Sequence, residues 1–596
     1  MSFFDIDNRI IEASQKAMKL CKSKLDEIND IQEYNQQKMI KAFQEAGVRE
    51  SHFSGSTGYG YDDFGRDALD RVYAYAFDAE DALVRHNFAS GTHTLTVALF
   101  GILRPNDTML SVTGMPYDTI RSAIGLEGNY SGSLKDFGIN FEMVDLKADG
   151  TVDYEAVEQR IREEKPKMVY IQRSRGYSIR PSLTYREIKK LCEISKKASP
   201  KSIIMLDNCY GEFVEKVTPM SVGVDIMAGS LIKNAGGGIA PTGGYIAGKK
   251  ELVEMCAYRL TTPGTGKEIG ATLGNNRELF MGAYHAPFVS CEALKTAVFA
   301  SALFEILGYD TTPKYSENRG DIIQLIMLGN EEKLCSFCEG IQSGSAVDSF
   351  VKPEPSDMPG YESQVIMAAG AFTLGSSIEL SADAPLREPY AVWMQGGLNF
   401  CSGKLGVMLA ADKILKKSKN SYCTDLIDKL ESEGYAIWNV VELLSFGDFI
   451  NLYDLFYQEY REAKNGILYT YPMRSIKNLR NAAAHNNCIL NQLTKSRSNE
   501  LRTNQKVISF VSQNSKIGKT QRRNCMNMQA VHDFITLLYV IHKAINSDGV
   551  KNKIIEELHW LVYERFPKHE EYFQKNNSLK TVYDFIKKMI DNYFPL

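Results

Sequence analysis

The sequence predicts an α/β domain followed by an all-helical domain. Short apolar runs alternate with amphipathic helical stretches up to about residue 260, which is typical of a mostly parallel sheet covered by helices. After that point the pattern becomes mixed, as expected of a smaller α+β domain. Beyond about residue 420 the chain has a helical pattern that is rich in Tyr and Asn.

These changes of pattern divide the chain into four predicted segments. We expect an N-terminal helical arm over 1–50, a large ligand-binding domain over 51–260, a small domain over 261–415 and a helical domain over 420–596. Within the arm, an amphipathic stretch over 8–46 predicts one long helix. Strands are predicted at 109–112, 141–144, 168–171 and 203–206, and helices at 154–164, 185–197 and 405–415.

The composition is that of an ordinary globular protein. The 596 residues are 44% hydrophobic and 24% charged, which excludes a mostly disordered, collagen-like or coiled-coil chain. No uninterrupted apolar run reaches the roughly 18–20 residues that cross a bilayer, and no signal-peptide pattern is visible. We therefore expect a cytoplasmic protein without a membrane partner. The 11 cysteines are scattered, and the CxxC pair Cys335 and Cys338 lacks the further ligands of a zinc site, so we expect no metal.

The net charge changes sign along the chain. Residues 411–596 hold 27 Lys and Arg against 20 Asp and Glu, whereas residues 1–410 hold 42 against 53. Within the back part, residues 461–530 carry 13 basic and 2 acidic side chains. We therefore predict two modules with different partners, and we expect the basic module to attract a polyanion such as RNA.

A lysine, an aspartate and small-residue turns follow the predicted strands. Asp207 ends an apolar run, Lys233 follows in a segment that begins at Ser230, and a Gly-Gly-Gly turn comes next. These residue types suit pyridoxal 5'-phosphate (PLP): an amine bonds to the aldehyde, a carboxylate keeps the pyridine nitrogen protonated, and turns at a helix start hold the phosphate. Such a turn spans 88–94, before the helical run 95–103. Each signal alone is more often a cap or a solvated side chain, but the ordered set indicates a PLP site.

The segments around these residues resemble a known family. From about 50 to 410 the chain resembles the methionine gamma-lyase-like PLP family associated with aluminium resistance, which belongs to fold type I with the cystathionine lyases. The resemblance implies a large, mostly parallel sheet domain and a small α+β domain, in a homodimer or homotetramer. The matching segments are His52–Asp63 (HFSGSTGYGYDD), Phe88–Thr94, Thr113–Asp118, Gln172–Pro181, Asp207–Phe213, Ser230–Gly244 and Arg387–Tyr390.

The resemblance also implies roles for single residues. Lys233 would bond covalently to the cofactor and, once released, take the Cα proton of the substrate, while Asp207 would pair with the pyridine nitrogen. Tyr117 would stack on the cofactor ring, and Arg387 is the residue we expect on the substrate carboxylate. Either Tyr59 or Tyr117 would protonate the leaving group.

The phosphate would be held by residues of two small-residue turns. Two further side chains, Tyr61 and Arg66, are expected to reach it from a neighbouring subunit. The residues of the two turns are Ser90, Gly91, Thr92 and Ser230.

The activity implied by the resemblance is that of a carbon–sulfur lyase. Such an enzyme eliminates a thiol from a sulfur amino acid and yields a keto acid and ammonia. The cofactor alone does not choose between elimination, transamination and racemisation. An aminotransferase therefore stays an alternative, and neither β- nor γ-elimination nor the particular substrate is fixed.

The basic part of the chain carries a second constellation. On a helix, Arg480 and His485 lie five residues apart and could flank one groove, where His exchanges protons and Arg holds a phosphate. Taken alone this pair is commonplace. The stretch Arg480–Asn486 (RNAAAHN), together with Glu442–Gly447, resembles Abi-like abortive-infection proteins of the helical HEPN superfamily. That resemblance implies a metal-independent ribonuclease site across a dimer, with Asn481 as the polar residue that follows the arginine.

Two readings of the whole chain follow. In the first, a PLP lyase is fused to an Abi-like domain that cleaves or only binds RNA. In the second, the chain is an anti-phage ribonuclease and its PLP module acts as a sensor or scaffold.

Overall fold

The computed structural model describes residues 3–128, 131–357, 363–419, 444, 446–459, 470–484, 505–569, 571 and 576–596. The chain separates into two compact units, 1–420 and 421–596. Short 3-10 turns lie at Glu50–Phe53, Lys135–Phe137, Met220–Val222, Asn234–Gly236, Gly266–Glu268 and Pro567–His569. The predicted limits of the arm, the large domain and the small domain stay predictions.

The N-terminal segment forms two helices where the sequence predicted one. Helix α1 spans Asn8–Leu20 and helix α2 spans Lys22–Glu45. Cys21 separates them because its backbone (φ −86°, ψ 0°) leaves the helical range. The buried face of α1 packs into the same apolar cluster as the small domain, so this arm is part of the core of the first unit.

The large domain is built on a seven-stranded sheet in the order β1-β7-β6-β5-β4-β2-β3. Strand β7 runs antiparallel to both of its neighbours and the other strands are mutually parallel. The four predicted strands are confirmed as β2 to β5. The strands are β1 Asp81–Arg85, β2 Thr108–Ser111, β3 Asn140–Met143, β4 Met168–Gln172, β5 Ile203–Asp207, β6 Ile226–Ser230 and β7 Gly244–Gly248.

Helices cover both faces of this sheet. Along β4, Val169 and Ile171 enter one apolar cluster and Met168 and Tyr170 enter the other, as the two-residue period of a strand requires. The two helices predicted at 154–164 and 185–197 are confirmed as α6 and α7. The helices of this domain are α3 Phe64–Ala76, α4 Gly91–Ile102, α5 Asp118–Ile124, α6 Tyr154–Glu164, α7 Tyr185–Ala198 and α8 Lys250–Leu260.

The small domain follows a 31-residue helix, α9, at Asn276–Ile306. By length and composition α9 could cross a membrane, but 89% of its most apolar window is buried inside the protein. An antiparallel five-stranded sheet in the order β10-β11-β12-β9-β8 packs against it with two further helices. These elements are β8 Asp310–Thr312, β9 Gln324–Met327, α10 Glu331–Ser343, β10 Val365–Ala369, β11 Ser381–Pro385, β12 Ala391–Gln395 and α11 Phe400–Lys419.

The second unit is helical over its described elements. Val507, Phe510, Ile535, Phe585 and Met589 are among the side chains that form its apolar core. A short π-helix at Trp560–Arg565 continues the helix before it. The helices are α12 Phe446–Glu459, α13 Thr470–Ala484, α14 Gln505–Ser512, α15 Lys519–Met526, α16 Gln529–Ala544, α17 Asp548–His559 and α18 Asn577–Tyr593.

Candidate active site

The predicted lysine and aspartate meet at the carboxyl edge of the large sheet. Asp207 is the last residue of β5, and Lys233 follows the end of β6 by three residues. Strands β5 and β6 are parallel neighbours, with Asp207 opposite Ala228, so their ends lie side by side. The Nζ atom of Lys233 lies 4.0 Å from the centroid of the Tyr210 ring. The chain therefore places an amine and a carboxylate together where open α/β sheets bind ligands.

Burial and mutual charge shift the pKa values of this pair. Burial raises the pKa of Asp207 above its ordinary value, while Lys233 and the main-chain N–H of Cys209, which donates to Asp207 at 3.1 Å, act in the opposite direction. Burial alone would lower the pKa of Lys233, but Cys209, Tyr210, Tyr117 and Asp207 together raise it. A cation placed opposite Asp207 would therefore favour its charged form.

The N-terminus of α4 closes the site on one side. Ser90 caps this helix, and its Oγ accepts a hydrogen bond from the main-chain N–H of His93 at 3.0 Å. A Cβ atom built on Gly91 would lie 3.3 Å from the Cβ of Ser230 and 3.6 Å from the Sγ of Cys209, so the helix start packs directly against the end of β6. The absence of a side chain at position 91 permits this approach.

Ser230 supplies the test of whether this turn suits a phosphate. Its Oγ is buried and has no hydrogen-bond partner among the described residues. A buried hydroxyl normally has a partner, and the N-terminus of a helix attracts anions. Thr92 lies in the same first turn and its Oγ1 is 2.5 Å from the Oγ1 of Thr119. Ser90, Gly91, Thr92 and Ser230 therefore fit the phosphate of PLP.

A cavity of about 720 Å³ opens beside Tyr117. Tyr117 precedes α5, and its main-chain N–H donates to the Oε1 of Gln172 at 2.7 Å, which fixes the start of that helix. The Tyr117 ring lies 5.9 Å from the ring of Tyr177, centroid to centroid. Volumes of this size are ordinary for small-molecule sites. The cavity has room for an amino acid.

Arg387 lines the same cavity from the small domain. It is exposed, it follows the end of β11, and its guanidinium makes no hydrogen bond or ion pair with the described residues. Arg387 and Tyr117 therefore face one space, which is what the predicted contact with a substrate carboxylate requires.

Four further residues at this site escaped the sequence argument. Tyr210 lies three residues after Asp207 and within the matching segment Asp207–Phe213, which was the available signal, and its backbone is left-handed (φ 69°). Tyr177 and Trp393 line the cavity with their ring centroids 5.8 Å apart. Asp383 accepts a hydrogen bond from the Tyr177 hydroxyl at 2.8 Å, and burial raises its pKa. Tyr177 lies within the matching segment Gln172–Pro181, whereas no local motif marks Trp393 or Asp383.

The cavity lining does not include Tyr59, Tyr61 or Arg66. Tyr59 and Tyr61 are 73% and 62% exposed, with their ring centroids 5.7 Å apart. Arg66 is buried, and its guanidinium donates to the main-chain carbonyls of Gly60 at 2.7 Å and Gly270 at 3.2 Å. Arg66 therefore holds the loop that carries the two tyrosines. A direct contact between Arg66 and a phosphate stays a prediction, and the hydrogen bonds of its guanidinium to main-chain carbonyls do not favour it. Tyr59 and Tyr61 are exposed and therefore accessible to a second subunit.

The second predicted constellation is only partly described. Arg480 is exposed on α13, where its Nη1 donates to the Oδ1 of Asn481 at 3.0 Å and its guanidinium lies 5.9 Å from the ring centroid of Phe446. His485 lies outside the described residues. Over the described part of the chain, no group of three His, Cys, Asp or Glu side chains is arranged for a metal ion.

Fold type I PLP enzymes share a mostly parallel seven-stranded sheet with a lysine and an acid at its carboxyl edge, and this architecture belongs to that class. Residues 10–415 match the family model described as methionine gamma-lyase. The chain therefore belongs to the methionine gamma-lyase family, whose cofactor is PLP. Residues 404–491 match the model described as Abi-like protein, so an Abi-like domain follows the lyase module.

Individual relatives resemble the first module. The YnbB protein of Bacillus subtilis is 47% identical over 392 residues, which is 66% of this chain and 93% of that protein. A solved carbon–sulfur lyase involved in aluminium resistance from Clostridium novyi is 50% identical, with a TM-score of 0.66 over 69% of this chain and 96% of that one. A candidate cystathionine beta-lyase involved in aluminium resistance from Clostridium acetobutylicum is also 50% identical, with a TM-score of 0.67 over 68% and 96%.

Proposed function

We propose that the first module eliminates a thiol from a sulfur amino acid and releases a keto acid and ammonia. The observation that carries the proposal is the proximity of Lys233 to Asp207 beside the α4 turn and the buried hydroxyl of Ser230. The carbon–sulfur lyase and candidate cystathionine beta-lyase names of the two Clostridium relatives support this reaction over transamination.

Each step assigns a task to a side chain of this protein. PLP, when bound, supplies the electron sink for the negative charge left at Cα. Arg387 binds the substrate carboxylate, and the Nζ of Lys233 takes the Cα proton. The carboxylate of Asp207 keeps the pyridine nitrogen protonated. Tyr117, which lines the cavity, would deliver a proton to the departing sulfur, and Tyr59 of a second subunit is the alternative donor.

The test is keto-acid production from a panel of sulfur amino acids. We expect cofactor-loaded protein to release pyruvate or 2-oxobutyrate, and borohydride reduction followed by peptide mapping to label Lys233. Lys233→Ala should lose both the label and the activity. Lys249→Ala is the matched control, because Lys249 is half exposed and pairs with Asp225 at 2.7 Å. A label on another lysine, or transamination without elimination, would contradict the proposal.

The module acts as a homodimer or homotetramer in this proposal. The exposed side chains of Tyr59, Tyr61, Phe64 and Leu273 support it, because single exposed apolar residues are normal but a local group of them is typical of an interface. Light scattering during size-exclusion chromatography measures the mass directly. A cytoplasmic location is supported by the cysteines of the described residues, all of which are free thiols.

A second function, RNA binding or cleavage by the Abi-like unit, is supported by its charge. Residues 461–530 carry 13 basic and 2 acidic side chains. Lys516, Lys519 and Arg523 are exposed and make no ion pair with the described residues. If the unit is a ribonuclease, His485→Ala and Arg480→Ala should each abolish RNA cleavage. Intact RNA in the presence of wild-type protein would restrict the unit to binding.

A further inference from the structure

The amine of Lys233 lies over the face of an aromatic ring. Its Nζ atom is 4.0 Å from the centroid of the Tyr210 ring. This distance is inside the range of about 6 Å over which a ring attracts a cation, and removal from water strengthens the attraction. The ring itself packs against an apolar cluster of the small domain that contains Leu325 and Trp393. Tyr210 is therefore held between Lys233 and the small domain.

The turn that carries Tyr210 is held by a buried arginine. The main-chain N–H of Gly211 donates to the carbonyl of Asn208 at 2.9 Å, which closes the turn. The Nη1 of Arg173 donates to the side-chain oxygen of Asn208 at 2.8 Å and to the carbonyl of Gly211 at 2.7 Å. The Nη2 of the same arginine pairs with Glu215 at 2.7 Å. Tyr210 has a left-handed backbone (φ 69°), which a residue with a side chain rarely adopts unless its surroundings enforce it. The turn therefore fixes the direction of the Tyr210 ring.

Asn234 joins the backbone of Lys233 to the same turn. Its side chain is fully buried, and its Nδ2 donates to the main-chain carbonyls of Tyr210 at 3.1 Å and of Glu212 at 3.1 Å. Lys233 has an extended backbone (φ −117°, ψ −154°) directly before Asn234. The main chain beside Lys233 is thus bonded to the residue whose ring its amine faces. Hydrogen bonds therefore fix both sides of the contact between Lys233 and Tyr210.

Other polar side chains also face this amine. Burial acts against the charged form of Lys233, but its neighbours outweigh burial and raise its pKa above the ordinary value. A carboxylate can attract an ammonium group and also take its proton. An aromatic face attracts the cation but has no atom that accepts the proton, so it can hold a protonated lysine without discharging it. The groups that act on the charge of Lys233 are the carboxyls of Asp207, Glu212 and Asp383, the thiol of Cys209 and the hydroxyls of Tyr210 and Tyr117.

We propose that the ring face of Tyr210 binds the ammonium group of Lys233 after the lysine has taken the Cα proton, so that Tyr210 is a positioning residue of the reaction. This inference rests on the proposed function and deepens it. In that step the Cα–H bond breaks, its electron pair passes into the sink that PLP supplies when bound, and the proton forms the third N–H bond of Nζ. A positive charge appears on Nζ, and the ring lies where it stabilises that charge.

The attachment of PLP to Lys233 tests the contact without turnover. Cofactor-free, full-length protein is mixed with PLP over a range of neutral to alkaline pH, samples are reduced with borohydride, and the label on Lys233 is followed by peptide mapping. Only the neutral amine attacks the aldehyde, so a contact that favours the ammonium form slows the attachment. We expect Tyr210→Leu to attach PLP about 3- to 30-fold faster than the wild type at each pH, because the cation–π contact is lost.

Two variants control for the hydroxyl and for the loss of a ring elsewhere. Tyr210→Phe keeps the ring face and removes the hydroxyl, which hydrogen-bonds to Ser377, and it should attach PLP within about twofold of the wild-type rate. Tyr154→Leu is the matched control, because the Nζ of Lys190 lies 3.7 Å from the centroid of the Tyr154 ring and the cavity lining does not include Tyr154. It should leave the labelling of Lys233 unchanged. Tyr210→Met gives the same comparison as Tyr210→Leu if the leucine variant does not fold.

The direction of the effect distinguishes the contact from mere packing. A loss of packing would disorder the site and slow the attachment, whereas the loss of the cation–π contact accelerates it. An attachment rate in Tyr210→Leu that is equal to or slower than that of the wild type would overturn the inference. A Tyr210→Phe variant that behaves like Tyr210→Leu would also overturn it, because the hydroxyl and not the ring face would then act on Lys233.

The pH profile of turnover separates this inference from the proposed function. With a sulfur amino acid that the wild type converts to a keto acid, the acidic limb of kcat should move to lower pH by about 0.5–1.5 units in Tyr210→Leu and stay in place in Tyr210→Phe. An unmoved limb in Tyr210→Leu would contradict the inference. If the wild-type protein produces no keto acid from any sulfur amino acid, the proposed function fails, while the attachment rates still decide the role of Tyr210.

Discussion

Ser230 ends β6 with a buried hydroxyl that has no partner among the described residues. We expect Ser230→Ala to raise the dissociation constant for PLP by about 10- to 100-fold, because a hydrogen bond to a charged phosphate is lost. Titration of the cofactor-free protein, followed by absorbance, measures this constant. Ser195→Ala is the control, since Ser195 is equally buried and unmatched but lies on α7. Equal losses of affinity in both variants would remove Ser230 from the phosphate site.

Glu212 is a buried carboxyl group close to the site that the proposed reaction does not use. It is 1% exposed, its Oε1 accepts from the Tyr245 hydroxyl at 2.8 Å, and its Oε2 has no partner among the described residues. Burial raises its pKa from 4.5 to about 7, against the opposing effects of its own main chain and of Tyr245. The folded protein therefore holds this proton in a pH range where the unfolded chain releases it.

The sign of the resulting pH dependence follows by linkage. Between the unfolded pKa and about pH 7 the folded state binds more protons, so this group lowers the stability as the pH rises and has no further effect above that range. The quantity to compare is the free energy of unfolding of Glu212→Gln minus that of the wild type. This difference should rise by on the order of 3 kcal/mol between about pH 5 and about pH 8, because one pKa unit corresponds to about 1.4 kcal/mol. Denaturant unfolding at both pH values measures it. Glu193→Gln, on the exposed face of α7, should show no such change.

The sequence could predict the centre of the site but not its far wall. Asp207 and Lys233 belong to one short stretch of the sequence, and each stands at or just after the end of an apolar run. The strands that these runs form, β5 and β6, are neighbours both in the sequence and in the sheet. Trp393 lines the cavity from β12 of the small domain, and Asp383 of β11 contacts the hydroxyl of the cavity residue Tyr177. Only the packing of the two domains brings them there, and their own segments have no spacing that indicates a ligand.

The sequence also failed to predict some whole strands of the large sheet. Strands β4 (MVYIQ) and β5 (IIMLD) are nearly continuous apolar runs, and β2 (TMLS) and β3 (NFEM) overlap shorter ones, which is why these four could be predicted. Strands β6 and β7 contain glycines that their packing requires: a Cβ at Gly229 would lie 2.5 Å from the Oε1 of Glu212, and a Cβ at Gly248 would lie 2.5 Å from the carbonyl oxygen of Asp225. Glycine weakens the apolar signal of a strand, so the sequence pattern there resembles a loop.

At the start of α3, Asp63 joins three segments through its carboxylate. It caps the helix by accepting from the main-chain N–H of Arg66 at 2.8 Å, and it also accepts from Thr272 at 2.6 Å and from the Ser56 hydroxyl. Burial opposes ionisation, but these hydrogen bonds with Ser56, Thr272, Arg66 and Asn276 hold its pKa below the usual range. The stabilisation is therefore present above the unfolded pKa and is lost as the pH falls.

We expect Asp63→Asn to destabilise the first unit by about 1–3 kcal/mol at neutral pH, because an amide group replaces one acceptor with a donor. The loop that carries Tyr59 and Tyr61 should also become more susceptible to proteolysis. Thermal unfolding and limited proteolysis measure the two effects. The neighbouring Asp62→Asn makes the same chemical change at an exposed position, and an equal loss there would contradict the role of the cap.

At the scale of the whole chain, the front and back parts of the sequence carry net charges of opposite sign. Residues 1–410 carry an acidic excess, while residues 461–530 concentrate basic side chains. The structure adds that Lys519, Arg522 and Arg523 share helix α15 and make no ion pairs with the described residues. Cations without acidic partners remain available to phosphates.

The charge of α15 leads to a prediction for RNA binding. Neutralising a phosphate with a cation releases a counterion, so log K falls with log salt by about 0.7 per contact for a single strand. Replacing Lys519, Arg522 and Arg523 with Ala should therefore reduce the slope by about 2 if all three contact the RNA. Fluorescence anisotropy of full-length protein with a single-stranded RNA, repeated across a range of salt concentrations, measures this slope.

The control for this prediction removes the same charge elsewhere in the unit. Lys551, Lys553 and Lys568 lie outside 461–530, and Lys553 faces Glu556 and Glu557 at 3.7 and 3.6 Å. Replacing these three with Ala should leave the slope nearly unchanged, because the attraction comes from a local surface and not from net charge. If both triple variants lower the slope equally, RNA responds only to the overall charge, and α15 is not the binding surface.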